Sequence, residues 1–99
     1  MATAGILPQS FALSQNYPNP FNASTTIKFA LPVSSDVSLK IYNVAGQLVK
    51  EYKQQMNAGY RSITWDGTNM NGDVVASGVY FYKLQAADFA KTLKMTLLK

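Results

Sequence analysis

The sequence predicts an all-β fold, an antiparallel β-sandwich of about seven short strands. Short stretches alternate apolar and polar residues with period two. Turn-forming residues separate these stretches at roughly ten-residue intervals. No stretch leaves room for the crossover helices that a parallel sheet requires. The chain has 99 residues, 47% of them hydrophobic and 12% aromatic. That is one domain with material for one modest core, and too apolar for a disordered tail over most of its length.

Residues 1–10 are small and polar with one proline, and read as a linker from an upstream cargo domain; residues 11–99 are the domain proper. The stretch Met1 to Pro8 lacks the basic start and apolar core of a signal peptide, so any export signal is expected upstream in a longer protein. Phe11 to Ser14 forms a short first strand. In Tyr17-Pro18-Asn19-Pro20-Phe21-Asn22 each proline fixes its own φ and pushes the preceding residue out of helical geometry. A stiff, extended corner follows, with Tyr17 and Phe21 expected to plug the end of the core. Thr25 to Leu31 puts Ile27, Phe29 and Leu31 on one face, and Pro32 with Ser34, Ser35 and Asp36 turns the chain. Val37 to Asn43 then faces Val37, Leu39 and Ile41 inward.

Ala45-Gly46-Gln47 is a tight turn into a strand from Leu48 to Tyr52. A helix over 47–56 competes there, because Lys, Glu and Gln favour helices. The strand is preferred because its neighbours are strands and a hairpin is the shortest connection. After a turn at Asn57-Ala58-Gly59, the strand Tyr60 to Trp65 faces Ile63 and Trp65 inward. Asp66 to Asp73 is a polar loop and Ala76-Ser77-Gly78 another turn. Val79 to Ala86 and Lys91 to Leu98 pair as a last hairpin, with Tyr80, Tyr82 and Leu84 sharing one face and Leu93, Met95 and Leu97 another. Gly78 lets the backbone double back, and Tyr80 can lock the corner through its hydroxyl, as tyrosine corners do in immunoglobulin-like sandwiches.

Catalysis finds little support. The chain has no cysteine and no histidine, which removes disulfides, thiolate metal sites and histidine-based triads. Asp66 and Asp73 could be paired as acid and base, but both lie on one loop with no second element to hold them. The chain is therefore expected not to be an enzyme. The loop from Asp66 to Asp73 is the one oxygen-rich cluster and could be weighed as a weak calcium site. It lacks the register and terminal glutamate of an EF-hand, and Asp-Gly and Asn-Gly are what tight turns demand. No metal or cofactor is expected. Trp65, Tyr60, Tyr80 and Tyr82 could form a platform for sugar rings, yet aromatics at period-two spacing are more often core; Tyr42 and Tyr52 would be better sugar contacts.

Nine basic and five acidic residues give a net charge of +4. Lys83, Lys91, Lys94 and Lys99 crowd the final stretch against Asp88 alone. They read as edge lysines that discourage sheet-to-sheet aggregation, or as a patch for an acidic partner. Nucleic acid is not expected, since no aromatic and basic residues interleave in a binding motif. No segment approaches the roughly 20 apolar residues of a transmembrane helix.

From Phe11 to Lys99 the chain resembles the type A C-terminal sorting domain of the type IX secretion system of Bacteroidetes and related phyla. The resemblance is carried by Tyr17-Pro18-Asn19-Pro20-Phe21-Asn22, Ser24 to Phe29, Val37 to Gly46, Trp65-Asp66-Gly67, Asn71-Gly72, Ser77 to Leu84, and the ending Lys91-x-x-Lys94-Met95-x-Leu97-Leu98-Lys99. The loop and the Gly-Val-Tyr run are shared with immunoglobulin-like modules related to the flagellar hook cap. The resemblance implies a seven-stranded sandwich placed last in an exported protein. It implies passage through the outer-membrane translocon of the type IX system and removal by a cell-surface sortase, with an upstream cargo domain as third partner. Localisation would be the periplasm in transit, then the cell surface or medium. The implied recognition residues are Asn71, Gly72, Gly78, Tyr80, Lys91, Lys94 and Lys99. The implied structural motif is Tyr17, Pro18, Asn19, Pro20 and Trp65. Ala23 departs from the pattern, since many relatives have proline there, and the Asp73-Val74-Val75 segment is slightly longer than in some members. The alternative function is a non-catalytic accessory module of an exported enzyme, either carbohydrate-binding or a fibronectin-like spacer.

Overall fold

Alternation along each strand sorts its residues onto two faces, and the apolar faces of two sheets close over one core. The computed structural model describes residues 7–98. Its strands are β1 (Ala12–Leu13), β2 (Thr25–Leu31), β3 (Ser35–Tyr42), β4 (Leu48–Met56), β5 (Gly59–Trp65), β6 (Gly78–Ala86) and β7 (Phe89–Leu97). They form a three-stranded sheet of order β1-β2-β5 and a four-stranded sheet of order β4-β3-β6-β7. All strand pairs are antiparallel, and the expected sandwich is what the chain builds.

The core is the predicted one in nearly every strand. Ile27, Phe29 and Leu31 from β2 meet Leu39 and Ile41 from β3, Tyr82 and Leu84 from β6, and Met95 and Leu97 from β7. The segment 47–56 is strand, because pairing with β3 over its whole length outweighs the helix preference of its Lys, Glu and Gln. Val49 sits at a register shift opposite Ile41 and Tyr42, and this bulge turns its side chain into the core. The last hairpin is tighter than expected. β7 begins at Phe89 after a two-residue turn, with Ala87 at φ 52° in it.

Two expectations about the proline tract are corrected. It bends sharply rather than running extended, and both X–Pro bonds, Tyr17-Pro18 and Asn19-Pro20, are cis. Phe21 plugs the core at 1% exposure, but Tyr17 does not, being 80% exposed. Tyr17 is held by its backbone, which exchanges hydrogen bonds with Thr26 on the edge of β2, and that leaves the ring facing solvent. The inward polar residue here is Asn16. Its side-chain amide donates to Pro18 O (3.1 Å) and Thr25 Oγ1 (2.9 Å), and its backbone N–H donates to the Tyr82 hydroxyl (2.8 Å).

Tyr82 thus ties the N-terminal segment to the four-stranded sheet. Its O–H donates to Ser14 O at 2.8 Å, and its side chain is fully buried. Burial pushes the phenol up to about 12, with the Asn16 N–H acting weakly the other way. An unfolded tyrosine ionises near pH 10, so between about pH 10 and 12 the unfolded chain has lost a proton that the folded chain keeps. This contribution is complete below pH 10 and falls as pH rises, by about 1.4 kcal/mol per pH unit. Burial raises Tyr52 and Tyr80 as well. Thermal unfolding between pH 9 and 12 is expected to show the decline, and Tyr82→Phe is expected to flatten it. That variant should also cost about 1–3 kcal/mol at neutral pH, because Ser14 O and Asn16 N–H lose their partner.

Candidate recognition surface

Register places the sequence motifs at the ends of strands, and the ends decide what meets. β2 starts where β5 ends (Thr25 opposite Trp65), β3 ends where β4 starts (Tyr42 opposite Leu48), and β6 starts where β7 ends (Gly78 opposite Leu97). Trp65 touches both Phe21 and Tyr80 by ring contact, at centroid distances of 5.7 and 5.3 Å. The proline tract, the 43–47 turn, the 66–77 loop and the end of β7 therefore share one end of the sandwich, here the loop end. Residues 11–13 run at the opposite end, where Phe11 stacks on Phe89 and Leu13 pairs with Phe29.

The 66–77 loop is built by its own polar atoms. Asp66 Oδ1 accepts from the Thr68 hydroxyl and backbone N–H, and Asn69 Oδ1 accepts from the N–H groups of Asn71 and Asp73. The Thr68 hydroxyl holds the Asp66 carboxyl below the usual carboxylate range; partial burial opposes this, while the Thr68 N–H and the Lys50 charge add to it. These bonds commit Asp66 Oδ1 and Asn69 Oδ1 to forming the turn. Among the described residues no group of three or more His, Cys, Asp or Glu converges. Gly72 takes φ 85°, the left-handed geometry that the Asn71-Gly72 turn requires.

Four further bonds fasten the loop to the sheets. Trp65 Nε1 donates to Thr68 O at 2.8 Å. Lys50 Nζ donates to Thr68 Oγ1 and Asn69 O, and the Met70 N–H donates to Val49 O on the edge of β4. The tyrosine corner forms as read from the sequence: Tyr80 O–H donates to Ala76 O, four residues upstream. Gly78 turns the chain at φ 148°. Between the loop and the 43–47 turn lies a cleft of about 490 Å³, lined by Asn43, Gln47, Leu48, Asn69, Val75 and Tyr80 among others.

The residues implied in recognition are thus divided. Asn71 and Gly72 are exposed at the loop tip and Gly78 is half-buried beside it, while Tyr80 is 6% exposed and can act only through the corner it locks. Lys94 is exposed midway along β7, on the outer face opposite Phe81. Lys91 belongs to the other face, in register with buried Leu84 and away from the loop end. Lys99 lies outside the described residues. Trp65 is fully buried, whereas Pro18, Asn19 and Pro20 are exposed. Of the aromatics weighed for sugar, Tyr60 is open at 70% exposure, whereas Trp65, Tyr80 and Tyr82 are core.

Sequence reasoning missed the cover on β7. Asn19 Oδ1 accepts from Thr96 N–H, Phe21 N–H donates to Thr96 O, Leu98 N–H donates to Phe21 O, and the Gln15 amide donates to Lys94 O. The proline tract thus shields the loop-end half of this edge. Asn19 within Pro-Asn-Pro was the available signal, as a fixed polar side chain needing a partner.

Residues 16–89 match the model of the FlgD Ig-like domain family. No curated protein matches the chain. Among solved structures it is similar to dimeric latent PorU from Porphyromonas gingivalis, with TM-score 0.73 and 22% identity, over 95% of this chain and 10% of that one. It is similar also to PorZ of the same organism, described as an essential bacterial surface component of the type IX secretion system. There the TM-score is 0.63 and the identity 22%, over 86% of this chain and 11% of that one. FlgD from P. aeruginosa gives TM-score 0.59 and 29% identity, over 74% of this chain and 57% of that one. The chain spans about a tenth of the PorU and PorZ chains, and at this identity the likeness to them is one of fold.

Proposed function

The chain belongs to the family of FlgD Ig-like domains, and from that premise we propose that it acts as a C-terminal sorting signal. In this reading it directs an exported cargo through the outer-membrane translocon of a type IX secretion system to the cell surface or medium. The observation that carries the reading is the convergence at the loop end. Three of the segments that carry the resemblance to a type A sorting domain, remote in sequence, meet there. The proline tract hydrogen-bonds the final strand, and Phe21 and Tyr80 pack on Trp65 at the start of the Asp66-to-Ser77 loop. A cargo joined upstream of Phe11 would sit at the other end and leave this surface free. The fold likeness to PorU and PorZ supports the reading without carrying it.

The domain acts in this scheme as a shape to be recognised, with no chemistry of its own. Its partners are the translocon, a surface sortase and the cargo domain. Docking through the edge of β7 is narrowed by the cover described above. Among the described residues, Ala90 and Thr92 present outward backbone groups that the proline tract does not reach.

The test is a reporter with its own signal peptide and residues 1–99 fused at its C-terminus, expressed in a type IX-competent host and in an isogenic translocon mutant. Surface or medium localisation in the competent strain alone is the expected result. Reporter retained in the periplasm of both, with the domain folded, would hand the case to an accessory binding or spacer module.

A further inference from the structure

The outer face of the four-stranded sheet carries an arrangement of which the sorting reading uses only Lys94. Residues of the parity opposite to the core stand on it in cross-strand rows. One row runs Leu48, Tyr42, Phe81, Lys94 from β4 to β7, and the next runs Glu51, Lys40, Lys83, Thr92. With Lys53 in the following row, four of the chain's nine basic residues share this face. Tyr42 and Phe81 are register partners at its middle, half-buried and open to solvent on one side.

Lys40 and Lys83 face each other directly across β3 and β6. Like charges at directly opposed positions repel, so the sheet holds this pair at a cost unless an anion lies between the two ammonium groups. Glu51 stands opposite Lys40 on the β4 side. Two residues along β3, the hydroxyl of Ser38 is covered and has no hydrogen-bond partner among the described residues.

We infer that this face binds an acidic polysaccharide, its rings lying on Phe81 and Tyr42 and its carboxylates on Lys40, Lys83 and Lys94. Two features favour a glycan over an acidic protein segment. The aromatic pair has Leu48 on one side in its row and Lys94 on the other, with Lys40 and Lys83 in the next row, which suits a ring with an apolar face and a charged edge. A glycan carrying one carboxylate per sugar also repeats its charge at a spacing of the order of the inter-strand distance, about 4.8 Å, and so matches neighbouring strands. Lys40 and Lys83 lie toward the middle of the sheet, whereas Tyr42 and Phe81 stand nearer the loop end and Lys94 is shared with the surface implied in sorting. Binding to the isolated chain tests this site apart from export.

Titration of the full ¹⁵N-labelled chain with oligogalacturonate, at low and at 0.5 M salt, tests it. Saturable amide shifts confined to Tyr42, Phe81, Lys83, Lys94 and their neighbours are expected, weakened by salt. Neutral dextran should give none. Lys40→Gln with Lys83→Gln should weaken binding roughly tenfold, and Phe81→Ala should weaken it too, with thermal melts confirming folded variants. Shifts elsewhere, no shifts at all, or equal binding of poly-glutamate would overturn the proposal; the last would assign the face to acidic peptides. The wild-type shift map decides even if a variant fails to fold.

Discussion

Trp65→Ala is expected to unfold most of the chain at 37 °C. The indole is fully buried, wedged between Phe21 and Tyr80 at the loop end, and its Nε1 caps Thr68 O. Truncating such a side chain leaves a cavity and costs about 3–5 kcal/mol. The Thr68 carbonyl loses its donor, which adds about 1 kcal/mol. A domain of this size commonly has only about 5–15 kcal/mol to lose, and the melting temperature should fall by at least about 15 °C. The damage should also be local in kind. Phe21 and Tyr80 lean on this ring from the proline tract and from the corner, so both segments should lose hydrogen-exchange protection before β3 does. Trp65→Phe keeps most of the volume and should cost clearly less. A Trp65→Ala chain melting within about 5 °C of the parent would show that the loop end does not depend on this packing.

Removal of residues 92–99 is the second large effect. It takes Met95 and Leu97 out of the core, where they are 0% and 1% exposed. It bares the edge of β6 and strips Phe21 of the backbone bonds it makes with Thr96 and Leu98. Loss of two buried side chains of this size exceeds about 4 kcal/mol, so the truncated chain should give a collapsed amide spectrum. On the sorting reading its reporter should remain in the periplasm. Because an unfolded domain could fail for that reason alone, Lys91→Gln with Lys94→Gln is the companion variant. Both lysines are exposed, so the fold should stand while any direct reading of their charge is lost. Normal export of the truncated reporter would end the idea that the final hairpin is read at all.

Much of this architecture was legible in the sequence. Period two is a local property, and burial of one face follows from it. Ile27-Phe29-Leu31, Val37-Leu39-Ile41 and Tyr80-Tyr82-Leu84 could therefore be assigned inward, and Trp65 to the core, without any knowledge of their partners. The tyrosine corner was legible for the same reason, since Tyr80 and Ala76 are close in sequence. The turn chemistry of the 66–73 loop was equally local. Asp and Asn two or four residues before a free N–H close it whatever the rest of the chain does.

What tertiary structure alone decided were the relations across long separations. Tyr17 and Phe21 look alike in sequence, yet only Phe21 meets Trp65, because pairing with Thr26 and Thr96 fixes the backbone on either side of the bend. Asn16 reads as a loop residue and becomes a buried tie because Tyr82, 66 positions on, offers its hydroxyl. Lys91 and Lys94 read as one basic cluster, but three residues of strand turn them to opposite faces. Lys94 joins Lys40 and Lys83 only because β3 and β7 flank β6. Alternation says which face a side chain takes; the order and register of the strands say what stands beside it. Those depend on how the whole set of apolar faces packs together, which no local stretch encodes.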